Sequence, residues 1–160
     1  MVILFFFALI LSTNKKINYP NSVLWGLTLW GILHMAGGSV PVAGGRLYEL
    51  ILIPISETYA FFRYDQFVHI IGFGVATFVA WILLKPHLKE KIIGWKSLRI
   101  AVCMAGLGFG ALNEIIEFFA TMIIPQTGVG GYINTSMDLV ADFVGAIIAV
   151  FWIRIKNGRL

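Results

Sequence analysis

Charge is scarce in this chain. Of its 160 residues, 12% are Asp, Glu, Lys or Arg and 59% are hydrophobic, whereas an ordinary soluble domain is about 25% charged and about 45–50% apolar. That balance excludes a typical soluble domain and places the chain in the membrane class. Cysteine is nearly absent. Cys103 stands alone, so an intrachain disulfide and a thiolate metal cluster within one chain are both excluded; in its apolar run AVCMAGLGFG it reads as a small packing residue. No long-period repeat or low-complexity tract occurs, and no compact metalloenzyme signature such as H-E-x-x-H. The formal net charge of +4 does not mark a nucleic-acid surface, because the basic residues sit in short loops between apolar runs, where they act as topology signals.

Several long apolar runs remain. Residues 1–12 form a first segment, short for a span, which needs about 20 residues. A positive residue ahead of the run and a small-x-small site after it, the marks of a cleaved leader, are missing, so this segment is expected to be a retained short helix. STNKKINYPN follows as a polar turn, with Pro20 suited to a new helix start. A second segment covers 22–36, a clear third 64–84, a fourth 97–123 and a fifth 137–155. Between the second and third, GGSVPVAGG reads as a flexible loop. Residues 47–62 read as an interfacial or re-entrant helix broken near Pro54. The expected fold is therefore all-α: a single integral membrane domain over residues 1–160, a polytopic bundle of five segments.

If the segments alternate in direction, ten of the twelve Lys/Arg fall on one side, leaving only Arg46 and Arg63 on the other. The positive-inside rule then puts the amino terminus outside and the carboxyl terminus in the cytoplasm. On this threading the ionisable residues inside the apolar runs share one depth. Asp65 and His69 open the third segment, Glu114 and Glu117 lie near the outer end of the fourth, Asp138 and Asp142 open the fifth, and His34 closes the second. At about 1.5 Å per residue, all seven lie within roughly 15 Å of the outer boundary. Each acidic pair is spaced by three or four residues and so occupies one helix face. Asn113, next to Glu114, is expected to point elsewhere.

Carboxylates facing lipid are unfavourable, so these faces are expected to turn inward around a wet cavity. Like charges there need compensation by protons, by a cation, or by Arg46 and Arg63. Carboxylate and imidazole donors without thiolate suit Zn²⁺, Mn²⁺ or Fe²⁺, and an all-oxygen subset suits Mg²⁺ or Ca²⁺. The candidate metal ligands are His34, Asp65, His69, Glu117, Asp138 and Asp142; Glu114, Glu117 and His69 are the candidate catalytic groups. Bland readings stand beside these. Asp65 and Asp138 near segment starts can complement a helix dipole, His34 can meet lipid head groups, and Asp142 can belong to a structural pair. His87 lies in the basic inner loop and reads as a surface residue.

The order of HMAGG, YDQFVH with GFG, NEIIEFF and NTSMDLVADFVGA resembles the YjdF-like family of bacterial inner-membrane proteins, and more distantly the VanZ-like family. The resemblance covers about residues 30–150. It implies an integral protein of the cell envelope and places His34, Asp65, His69, Glu114, Glu117, Asp138 and Gly145 on recurrent polar or glycine positions. The chain departs from the YjdF-like pattern at Asn134, where that pattern is acidic, at Met137, where it is aromatic, and at Asp142, where it is apolar. Three functions are open on this reading. One is a metal-assisted enzyme acting on a lipid or lipid-linked head group at the outer leaflet. The others are a small proton-coupled transporter and a non-catalytic membrane protein stapled by its polar network. Membrane lipids are the expected partners, and nucleic acid is not.

Overall fold

A computed structural model describes residues 2–54, 62–88, 95–124 and 131–157. Helix α1 spans Val2–Ile17, α2 Asn21–Ser39, α3 Tyr64–Leu84, α4 Trp95–Ile123 and α5 Tyr132–Asn157. The all-α expectation holds for the body of the protein. Three of the helices, over Tyr64–His87, Lys96–Ile123 and Tyr132–Ile153, are long and apolar enough to cross a membrane among the described residues.

α1 runs past the expected end of the first segment. The stretch read as a polar turn from Ser12 continues the helix to Ile17, with Lys15 and Lys16 in its last turn, where cations meet the negative end of the dipole. Asn18, at φ 53°, takes the left-handed conformation that ends helices. The turn into α2 is held by side chains: Asn14 Oδ1 accepts from the Tyr19 amide at 3.1 Å, and the Tyr19 and Thr13 hydroxyls lie 2.8 Å apart. Tyr19 is buried, so Tyr19→Phe is expected to lower stability by about 1 kcal/mol, read from thermal melting in detergent.

The connection between α2 and α3 corrects two expectations. GGSVPVAGG is not simply a loop. Gly37, Gly38 and Ser39 form the end of α2, and β1 (Pro41–Val42) pairs antiparallel with β2 (Gly45–Arg46). Ala43 and Gly44 both have positive φ, 49° and 85°, the backbone of the two-residue hairpin turn. Nor is 47–62 a helix where it is described. A 3₁₀ turn covers Leu47–Glu49, and β3 (Ile51–Ile53) pairs antiparallel with β4 (Phe62–Arg63). Two β-branched residues ahead of Pro54 favour extended backbone and oppose a helix. Residues 55–61 of that segment lie outside the described residues.

α3 is the central helix, and its buried positions cover well over half of its circumference: Gln66, Val68, His69, Gly72, Phe73, Ala76, Thr77, Val79, Ala80 and Trp81. α5 buries one stripe, Asp138, Ala141, Asp142, Ala146, Ala149 and Ile153, at the three- and four-residue spacing of a helix with one packed face. The outer faces of α4 and α5 expose Phe118, Phe119, Met122, Ile147, Ile148, Phe151 and Trp152. Apolar side chains outside and carboxylates inside are the arrangement of a bundle whose solvent is lipid.

The contacts fix how the chain threads. Gln66 meets Asp138, His69 meets Asp142, and Gly145 lies against Ile70 and Gly74. Numbers rise together, so α3 and α5 are parallel. Gly106 lies against Thr77 and Ala146 while Gly110 lies against Asp142, so α4 is antiparallel to both. Gly26 packs on Val75 and Trp30 on Gly72, which makes α2 antiparallel to α3 as well. Ile70 O and Gly74 N stand so close to Gly145 Cα that a side chain there has no room. Small residues permit this backbone approach between membrane helices, and it sets the height at which α5 delivers its aspartates.

Candidate functional site

The polar residues collect where α3 and α5 begin and α4 ends. His69 is at the centre, 6% exposed. Its Nδ1 lies 2.8 Å from Asp142 Oδ1 on α5, and its Nε2 lies 3.8 Å from Asp65 Oδ1, one turn earlier on α3. Asp138, one turn before Asp142, accepts from Gln66 Nε2 at 2.6 Å and from Asn134 Nδ2 at 2.6 Å. Asn134 also reaches Asp65 Oδ2, at 3.3 Å. Gln66 serves twice, since its Oε1 accepts the Arg63 amide at 2.9 Å at the start of α3.

α4 brings its own group. Asn113 donates to Glu117 Oε1 at 2.8 Å and to Glu114 Oε1 at 3.3 Å. This corrects the expectation that Asn113 points elsewhere: it is buried, and its spacing of four from Glu117 puts both on one face. Glu114 is buried too, while Glu117 is half-buried.

Among the described residues, two sets of potential ligands each gather their atoms within 4.8 Å of one another: Asp65, His69 and Asp138, and His69, Glu114 and Asp142. The second set takes one residue from each of α3, α4 and α5. Neither His34 nor Glu117 falls in these sets. His34 lies apart on α2, its ring 5.7 Å from Tyr48 and 6.4 Å from Trp30. The Tyr48 hydroxyl donates to the His34 carbonyl at 2.7 Å, and burial pushes that phenol's pKa up, keeping it a neutral donor. Tyr64 likewise donates to the Leu33 carbonyl, at 3.1 Å, so the end of α2 is tied beside the cluster.

Among the described residues, one buried side-chain oxygen has no partner. Asp142 is fully buried at 0% exposure, its Oδ1 faces His69, and its Oδ2 meets no hydrogen-bond donor among the described residues. Oδ2 is directed at α4, where Gly110 leaves it space that a Cβ would fill, one turn from Glu114. Buried polar atoms are nearly always satisfied, so a carboxylate oxygen left over among three potential ligands is a place where a proton or a cation belongs.

The helix-dipole reading fits Asp65, second in α3. It does not fit Asp138. α5 begins at Tyr132 rather than near 137, so Asp138 lies well inside the helix, engaged by amides from two helices. Gln66 and Asn113 were not among the expected site residues. Gln66 stands within YDQFVH and Asn113 within NEIIEFF, but an amide carries no charge to draw notice in an apolar run. Replacing Gln66 with leucine removes a donor from Asp138 and the acceptor for the Arg63 amide. The expected loss is about 1–2 kcal/mol in detergent, and a melting temperature equal to wild type would show the α3–α5 link to be idle.

These features define a helical, membrane-embedded protein with a polar cluster inside its bundle. The comparisons agree with that class. A family described as "Predicted membrane protein (DUF2238)" matches residues 1–159, and the chain belongs to it. No curated protein and no solved structure matches the chain.

Proposed function

We propose that this chain is a multi-pass protein of the cell envelope whose cluster binds a divalent cation and uses it to assist a reaction on a lipid or lipid-linked head group. The observation that carries this reading is the unpartnered Oδ2 of fully buried Asp142, set among ligand atoms from three helices. A histidine with two carboxylates suits Zn²⁺, Mn²⁺ or Fe²⁺, with Mg²⁺ the alternative if oxygen donors dominate. A bound cation polarises an oxygen or lowers the pKa of its water. Glu117, half-buried and oriented by Asn113, is the carboxylate we assign to take the released proton.

The side of the membrane follows from charge. Lys85, Lys96 and Arg99 lie at the end of the bundle opposite the cluster, and the positive-inside rule assigns that end to the cytoplasm. The cluster then opens outward in the inner membrane, with the amino terminus outside and the carboxyl terminus inside. A fluorescent protein fused to the carboxyl terminus is expected to fluoresce, and a periplasmic phosphatase fused there to stay inactive; the reverse result would invert this orientation. The YjdF-like and VanZ-like resemblance of the motifs supports the same envelope location.

The test is to purify the protein in mild detergent, measure bound metal by mass spectrometry, and incubate it with vesicles of labelled phospholipid or lipid-linked phosphate. Cation-dependent release of head group, lost in Glu117→Gln, supports the proposal. Absence of both retained metal and a cation-dependent thermal shift removes it. A second reading has one observation in its favour: the chain Gln66–Asp138–Asn134–Asp65 satisfies itself across α3 and α5, as a structural staple would. On that reading Glu117→Gln alters stability alone.

A further inference from the structure

We infer that one ion is bound per chain, that it sits on the inner set of His69 Nδ1, Glu114 and Asp142, and that Asp65 is a positioning residue acting through His69 Nε2. This rests on the cation reading above and goes further by assigning the atoms. The two ligand sets share a single imidazole. A neutral imidazole has one N–H and one lone pair, so it ligates through one nitrogen while the other donates. The sets are therefore alternatives, and occupancy of one excludes the other.

Three observations choose between them. Asp138, which belongs only to the outer set, already has both oxygens engaged, Oδ1 by Gln66 and Oδ2 by Asn134. Asp142, which belongs only to the inner set, has Oδ2 unengaged at 0% exposure. The unmet demand is at the inner set. Second, the inner residues come from α3, α4 and α5 and are all buried, so they surround a point, whereas the outer set draws on α3 and α5 only. Third, Asp142 lies against the α4 backbone at Gly110, where its carboxylate occupies the place a side chain would take, one turn from Glu114, the α4 member of the inner set.

The spacing is compatible. His69 Nδ1 and Asp142 Oδ1 are 2.8 Å apart, close to the roughly 2.8–3.0 Å between adjacent ligands on an octahedral ion at about 2.0–2.1 Å. Without the ion, the same pair is a hydrogen bond from Nδ1–H to the carboxylate. When the ion binds, the Nδ1 proton is released to solvent and the remaining proton resides on Nε2, facing Asp65. The 3.8 Å separation there must shorten to hydrogen-bond length, giving the carboxylate–histidine–metal relay that fixes tautomer and ring orientation.

The experiment uses the full chain in detergent, ¹⁵N-labelled at histidine, titrated with Zn²⁺. The expected result is one Zn²⁺ per chain and a swap of the His69 ring from the Nδ1–H to the Nε2–H pattern of nitrogen shifts. Asp142→Asn and Glu114→Gln are expected to weaken binding at least 100-fold. Asp65→Asn is expected to keep the stoichiometry and weaken it about 10–100-fold. If Zn²⁺ binds while the Nδ1–H pattern persists, and Asp138→Asn abolishes binding, the ion occupies the outer set and the inference is overturned. A wild-type chain that binds no Zn²⁺ overturns the cation reading and this inference together. Because the tautomer is read in the wild-type protein, the test survives a variant that fails to fold.

Discussion

Replacing Gly145 with alanine is expected to lower stability by roughly 3 kcal/mol, while the same change at Gly108 leaves it equal or slightly higher. Both glycines lie within helices that meet the length and hydropathy of a span, and both changes add one methyl group. At Gly145 that methyl would collide with the Ile70 carbonyl and approach the Gly74 amide within 2.9 Å. These are backbone atoms of the central helix, which cannot rotate away as a side chain can, so overpacking is felt at the upper end of its usual range of about 1–3 kcal/mol. At Gly108 nothing lies within 4 Å, and alanine is favoured over glycine in a helix by up to about 1 kcal/mol. The measurement is thermal or denaturant unfolding in detergent. The consequence reaches the cluster, because α5 pushed away from α3 carries Asp138 and Asp142 away from Gln66 and His69. A Gly145→Ala variant as stable as wild type would mean that the close crossing of α3 and α5 does not exist.

The second large effect is expected at Asp142. Wild-type protein held with a divalent cation at about 100 times its dissociation constant should gain about 2.7 kcal/mol of stability by mass action. Asp142→Asn should gain none. Without added cation the variant is not expected to melt lower than wild type. Its amide still offers His69 an oxygen, and the substitution removes a buried charge whose Oδ2 has no partner, an unfavourable element in an ion-free interior. The combination separates ligand loss from simple damage, since a damaged core melts lower in both conditions. A variant that keeps the full cation-dependent shift would show that Asp142 is not a ligand.

Much of the polar cluster that forms the candidate site was legible from spacing alone. Asp65 and His69, Glu114 and Glu117, and Asp138 and Asp142 each fall on one helix face by periodicity, and alternating segments bring the faces to one end of the bundle. Two errors had local causes. Placing Asn113 by its neighbour Glu114 instead of by Glu117 one turn on hides a buried hydrogen-bonded amide. A fifth segment starting at Met137 puts Asp138 at a helix start; α5 begins instead at Tyr132, and Asn134 then reaches Asp138 as an i,i+4 partner. The short strands around residues 41–63 were missed because two- and three-residue ladders leave no periodic signal.

By itself the sequence determined that this chain is a helical membrane protein and which of its residues are too polar to face lipid, because hydrophobic runs and helical facing are properties of neighbouring residues. Only the tertiary structure decided that His69 meets Asp142, that Gln66 and Asn134 satisfy Asp138, and that Asp142 Oδ2 is left unmet. The His69–Asp142 and Gln66–Asp138 pairings join positions about seventy residues apart. They depend on the height at which α5 lies against α3, which is set by a glycine whose missing side chain lets two backbones touch.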